Sequence, residues 1–214
     1  MNTTVSLNLK VYLEGFWGGT TQVSDTVKVY LANATTPYAY ADTAKVVLSG
    51  TGQASMNFNR VTTGSYYIVV SHRNHLETWS ATAQSFVGGT PFNYDFTTAS
   101  TQAFGGNMKL VGSVWVLFGG DANRDGSIDA LDIGIFILQY GSLGYLSCDF
   151  NGDGDVNALD VSIISQNFGL IKIKPGVEPY SPEEIKNIKT QFENVIKSGV
   201  DKKKVVNESK KVTK

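Results

Sequence analysis

Two stretches of this chain align residue for residue 28 positions apart. The first is DANRDGSIDALDIGIFILQYG, from Asp121 to Gly141, and the second is DFNGDGDVNALDVSIISQNFG, from Asp149 to Gly169. Identity falls on the Asp, Asn and Gly positions, while the apolar pattern is kept elsewhere. An internal duplication constrains a fold more than any local propensity, because each copy must bury its apolar face against the other. Here each copy reads as an Asx-rich loop running into one short helix.

The loop spacing carries its own chemistry. A 12-residue loop of the EF type draws its ligands from positions 1, 3, 5, 7, 9 and 12 and needs glycine at 6 for a sharp turn. In the first copy these are Asp121, Asn123, Asp125, Ser127, Asp129 and Asp132, with Gly126 at the turn. In the second they are Asp149, Asn151, Asp153, Asp155, Asn157 and Asp160, with Gly154 at the turn. Ser127 and Asp155 would offer backbone carbonyls, and Asp129 would act through a water. Carboxylates converging from one tight loop repel one another unless a cation sits among them. Calcium suits six or more protein oxygens better than magnesium, which demands a smaller octahedral shell. Two ions are therefore expected. Position 8 is apolar in both copies, Ile128 and Val156, as where paired loops touch back to back. Leu131, Ile135 and Leu138 then mark the first helix, and Leu159, Ile163 and Ile164 the second.

Before this unit the grammar is that of strands. Val5, Leu7, Leu9, Val11 and Leu13 alternate with Ser6, Asn8, Lys10 and Tyr12, which implies one buried and one wetted face. Further strands are expected at 26–32, 44–49, 53–59, 65–72, 83–87, 91–97, 107–111 and 113–118, separated by breakers such as Gly18-Gly19 and Gly88-Gly89. Short strands at this spacing predict a β-sandwich. Thr63 to Val70, with its Gly64-Ser65-Tyr66 run, resembles the Gly-x-Tyr strand of prealbumin-like and surface-adhesin sandwiches.

After the duplication, Ser181-Pro182-Glu183-Glu184 reads as a capping box with proline at the first helical position. Ile185, Ile188, Phe192, Val195 and Ile196 then form one apolar stripe, ended by Gly199. The expected organisation is an Ig-like or prealbumin-like β-sandwich over 1–118, the calcium unit over 119–170, a linker over 171–180, an amphipathic helix over 181–199 and a basic flexible tail over 200–214. The net charge of −1 conceals nine Lys against five acidic residues from Ser181 onward, a local +4, leaving −5 for the rest. Nothing in that balance favours nucleic acid. No apolar run reaches the ~18 residues of a membrane span. The start Met1-Asn2-Thr3-Thr4 lacks a secretory leader, so any such signal is expected to have been removed or to lie in a longer protein. One cysteine, Cys148, rules out an intrachain disulfide, and its acidic neighbours argue against an activated thiolate.

The double loop–helix unit resembles a type I dockerin over residues 119–170. In that family one helix follows each loop and the incoming EF-hand helix is absent. Strand-like Val114 to Phe118 stands before the first loop here, in keeping with that pattern. The resemblance implies an extracellular, non-catalytic interaction module with a cohesin-like partner. The family's partner-selecting positions 10 and 11 fall on Ala130-Leu131 and Ala158-Leu159, where familiar cellulosomal members carry a Ser-Thr type pair. The identical pairs permit two orientations of binding. A sandwich followed by such a unit also resembles C-terminal regions of large secreted bacterial surface proteins.

Other chemistry is thinly supported. His72 and His75 lie near Glu77, but in a strand residues i and i+3 point to opposite faces, so loop packing is expected instead of zinc binding. No Ser-His-Asp or Cys-His pairing is visible. Trp17, Tyr38, Tyr40, Trp79 and Tyr94 would be needed for a sugar-stacking face, the basis of a carbohydrate-binding alternative. Calcium-dependent self-assembly into a filament or lattice with other copies of the chain is a further alternative, through strand 1 added to a neighbour's sheet edge or the terminal helix docked in trans.

Overall fold

In the computed structural model, residues 4–177 are described, together with Ser181, Glu183, Glu184, Lys186, Asn187 and Thr190. The alternating first segment becomes β1 (Val5–Lys10), with Val5, Leu7 and Leu9 inside. It is the middle strand of a three-stranded sheet, antiparallel to β4 (Gln53–Phe58) and parallel to β8 (Pro91–Asp95). Both edges of β1 are thus already paired, which removes the open edge that self-assembly through this strand requires.

Opposite lies a larger sheet in the order β3 (Tyr40–Val47), β2 (Thr26–Asn33), β5 (Gly64–Ser71) and β6 (Thr78–Trp79). The start of β5 also pairs with β7 (Gln84–Phe86). Val27, Val29 and Leu31 of β2 and Ile68 and Val70 of β5 face Leu7, Leu9, Met56 and Phe58 across one core. Burying such side chains stabilises by roughly 1.5–3 kcal/mol each, enough to hold the two sheets together. The β-sandwich is therefore as expected, with the strand spacing read correctly to within a few residues. The two-residue β6 was too short to leave a pattern. A hairpin of β9 (Lys109–Val111) and β10 (Val114–Val116) leads to the duplicated unit.

Each loop ends in a helix, α1 (Ala130–Gln139) or α2 (Ala158–Asn167), and both carry a capping box. Asp129 caps the first by accepting from Leu131 N–H, and Asn157 caps the second by accepting from Leu159 N–H, each at 2.8 Å. The copies exchange partners by a local two-fold. Gly169 N–H donates to the Ile128 carbonyl, and Gly141 N–H donates to the Val156 carbonyl, both at 2.8 Å. Ile128 and Val156 share one buried cluster, yet the backbone partner of each is the segment after the other helix.

The chain divides into two compact units, Met1–Pro179 and Tyr180–Lys214. The sandwich and the duplicated unit thus pack as one body. Residues 171–176, expected as a linker, instead run against the sandwich: Ile173 lies over Gly105, Lys174 over the Trp79 ring and Gly176 beside Tyr38. Beyond Tyr180, Ser181 and Glu184 form the expected reciprocal cap, at 2.7 and 3.3 Å. The apolar stripe and the basic tail lie outside the described residues.

Candidate metal centres

The backbone of both loops has the required turn. Gly126 and Gly154 sit at φ +93° and +86°, the left-handed region that a side chain avoids. Chained Asx turns shape what precedes them. Asn123 Oδ1 accepts from Asp125 N–H and Asp125 Oδ1 from Ser127 N–H, at 2.8 and 2.9 Å. Asn151, Asp153 and Asp155 repeat this at 2.9 Å in both bonds. At position 12, Asp132 and Asp160 are fully buried and accept backbone N–H groups from their own loops. Among the described residues no three His, Cys, Asp or Glu side chains already converge on one point, since most loop carboxylate oxygens hold an N–H.

One atom is different. Asp121, at position 1, is 2 % exposed, and its Oδ1 has no hydrogen-bond partner while Oδ2 accepts from Gly126 N–H. A buried carboxylate oxygen without a partner costs free energy unless something positive meets it. Burial, then the nearby Asp132 and Asp125, pushes the Asp121 carboxyl up to about 7. Burial likewise raises Asp132 and Asp160. Carboxylates that resist ionising together are what a divalent cation relieves, so the first loop fits calcium.

The second loop is met by the sandwich. The turn after β5 places His72, Arg73, Asn74 and His75 against it. Arg73 Nε lies 3.1 Å from Asp25 Oδ2 and a terminal Arg73 nitrogen 3.1 Å from Asp149 Oδ2. The other terminal nitrogen donates to the Leu146 carbonyl. The guanidinium also stacks over Tyr145 at 4.2 Å. Asn74 Nδ2 donates to the Asp149 carbonyl at 2.7 Å, and Leu76 is buried in the core of the duplicated unit. Asp25 gathers Tyr145 Oη at 2.6 Å and His72 Nε2 at 3.1 Å. Burial alone would raise the Asp25 carboxyl, but hydrogen bonds from His72, Tyr145 and Thr26 hold it well below its usual range.

Contrary to the strand geometry expected for them, His72 and His75 meet, with their Nδ1 atoms 2.9 Å apart. The cause is local: β5 ends at Ser71, and the chain then turns. Burial drives both rings toward the neutral form, and they serve packing between the two parts. Glu14 completes the contact by accepting from Gly119 N–H at 3.0 Å, from Asn167 Nδ2 and from Lys109 Nζ. Arg73, Asp25 and Glu14 could not be read from sequence, since each finds its partner through contacts far along the chain.

The expected partner positions are exposed: Ala130, Leu131, Ala158 and Leu159 all face outward. Leu131 and Leu138 lie in the first helix, as their spacing implies, and are 63 % and 84 % exposed. Asp132 fixes the inward face, which continues one turn on at Phe136, and Leu131 and Leu138 lie seven residues apart on another stripe. Leu159 is exposed for the same reason, while Ile163 and Ile164 are buried. Cys148 is buried, and burial pushes its thiol up to about 11, in keeping with an inert side chain. The five aromatics considered for sugar stacking separate into three places. Trp17 stacks on Tyr12, Tyr94 joins the sandwich core, and Tyr38 and Tyr40 gather around buried Trp79.

The family described as the dockerin type I domain matches residues 119–169. That segment is a type I dockerin domain, and domains of this family bind calcium. Two crystal structures, of C-terminal and N-terminal interface mutants of a type II cohesin–X–dockerin complex from Acetivibrio cellulolyticus, superpose more loosely on the chain. The first shares 17 % identity at a TM-score of 0.47, covering 78 % of this chain and 97 % of the other. The second shares 19 % identity at a TM-score of 0.42, covering 79 % and 97 %. No curated protein matches the chain.

Proposed function

We propose that this chain is a calcium-stabilised docking module that ties a protein to a cohesin-type partner outside the cell. It has no catalytic role. The reading rests on the apolar side chains left exposed on and just after the first helix of a dockerin domain. Leu131, Ile137, Leu138 and Tyr140 are all more than half exposed. Exposed apolar side chains this close together are costly in water and gain most when a partner covers them.

The two helices are not equivalent as partner faces. Where α1 shows Ile137 and Leu138, the copy 28 residues on shows Ser165 and Gln166, and Gln166 takes a hydrogen bond from Lys109 of the sandwich. The identical Ala-Leu pairs permit two orientations, but the surroundings favour one, led by α1. Calcium acts on this face indirectly. Asp121, Asn123, Asp125, the Ser127 carbonyl and Asp132 would hold an ion in the first loop, and the ion would fix the start of α1.

The test is calorimetric titration of the chain with a panel of isolated cohesin domains, in calcium and in EDTA. Binding that needs calcium and falls at least tenfold with Leu138→Asp supports the reading. No binding across the panel, or binding indifferent to Leu138→Asp, overturns it. Light scattering alongside shows whether another copy of the chain is the partner instead.

A further inference from the structure

The two loops differ at the atom that matters most for a cation. In the first, the Asp121 carboxylate turns one oxygen onto loop N–H groups and leaves the other bare and buried. In the second, Asp149 also turns one oxygen onto the loop, accepting from Gly152 N–H at 2.8 Å. Its other oxygen is not bare. It lies 3.1 Å from a terminal nitrogen of Arg73, which comes from the sandwich.

Arg73 is not a passing surface contact. Its side chain is 12 % exposed, and it is held at the same time by Asp25, the Leu146 carbonyl and the Tyr145 ring. Withdrawing it would leave the buried Asp25 carboxylate without its guanidinium. Among the described residues no cation pairs with a carboxylate of the first loop: Lys172 passes over Gly126 but its ammonium pairs with Glu77 at 3.5 Å, and Arg124 in that loop is exposed. Glycine geometry fits the same picture. At loop position 4, Gly152 lies so near the Phe16 ring that a Cβ would stand 2.7 Å from it, and Gly15 approaches Phe150 and Ile163 as closely. The second loop is thus built against the sandwich from two sides.

We infer that the two loops are unequal calcium sites, because Arg73 serves as a built-in counter-cation for the second. The first loop takes calcium tightly. The second takes it only against the guanidinium already on Asp149. An arriving calcium ion meets the like charge of the guanidinium beside Asp149, so the second site should be weaker by about tenfold or more. This inference rests on the calcium reading of the loops but not on the identity of the partner. It also gives the sandwich a specific task, since it holds half of the dockerin domain in shape without metal.

The test is calorimetric titration of the whole chain with calcium chloride after stripping with EDTA. The expected result is two steps separated by about tenfold or more in Kd. Asp121→Asn should remove the tight step, and Asp149→Asn should leave it. Arg73→Gln should draw the steps together by tightening the weak one. Should Arg73→Gln unfold the chain, the two aspartate variants still decide the order. Two equal steps in the parent chain, loss of the tight step in Asp149→Asn, or a second step weakened by Arg73→Gln would overturn the inference. A flat titration would overturn the calcium reading with it.

Discussion

The two halves of the duplication obey one sequence grammar and live in different surroundings. Loop 149–160 is pressed against the sandwich by Phe16, Arg73 and Asn74, with its first carboxylate already neutralised. Loop 121–132 keeps an orphaned carboxylate oxygen, and its helix leaves Leu131, Ile137 and Leu138 exposed to solvent. A repeat fixes which chemistry is available, while the docking of each copy decides which chemistry is needed. One copy has become a structural partner of the sandwich. On the proposed reading, the other is left as the tighter calcium site and as the face that meets a partner.

The strongest way to break this division is to cut the clamp at its root. Asp25→Asn removes the carboxylate that holds Arg73, His72 and Tyr145. Breaking one member of such a buried charge network costs about 3–5 kcal/mol, read as a lower denaturation midpoint in urea. The loss should persist in saturating calcium. A second experiment acts on the loops themselves. Asp125→Ala with Asp153→Ala should lower the melting temperature in calcium and abolish its sensitivity to EDTA. At a hundredfold excess over Kd the lost linkage is about 2.7 kcal/mol for one site. An unchanged melt would sink the calcium account.

A swap of residues between the copies sharpens the contrast. Gly152→Arg, which gives the second loop the first loop's residue, should cost about 1–3 kcal/mol because the new side chain meets the Phe16 ring. Arg124→Gly, the reverse change in the free loop, should cost nothing and relieve the positive φ of 62° there. Equal effects of the two swaps would remove the distinction between a docked and a free loop.

The smallest effect is a pH effect on the contact between sandwich and dockerin. Burial lowers the pKa of His72 and His75 below the ordinary 6.5. The unfolded chain therefore takes up protons first as pH falls. Their contribution is complete above pH 6.5 and is lost as pH drops below it, by up to about 1.4 kcal/mol per histidine per pH unit. Melting in calcium between pH 7 and pH 5.5 should show a decline that His75→Asn reduces.

Much of this was legible in sequence because it is local. The ligand spacing of Asp121 to Asp132, the turn glycines and the caps at Asp129 and Asn157 depend on residues within one loop. The alternation of Val5 to Leu9 gave β1 in the same way. What escaped were features set across long separations. The side of α1 that faces water depends on Asp132 pointing inward, and the apolar spacing of Leu131, Ile135 and Leu138 alone does not say which side that is. His72 and His75 meet because β5 stops at Ser71, which no pattern announces. Arg73 reaches Asp149 across 76 positions, and nothing in the run His72-Arg73-Asn74-His75 names that partner.

Amide hydrogen exchange on the intact chain, in EDTA and then in calcium, tests the division between the copies most directly. The account predicts that N–H groups of 121–132 exchange fast in EDTA and slow sharply on adding calcium, while those of 149–160 are protected in both. Equal calcium-induced protection of the two loops, or protection confined to 149–160, would contradict it.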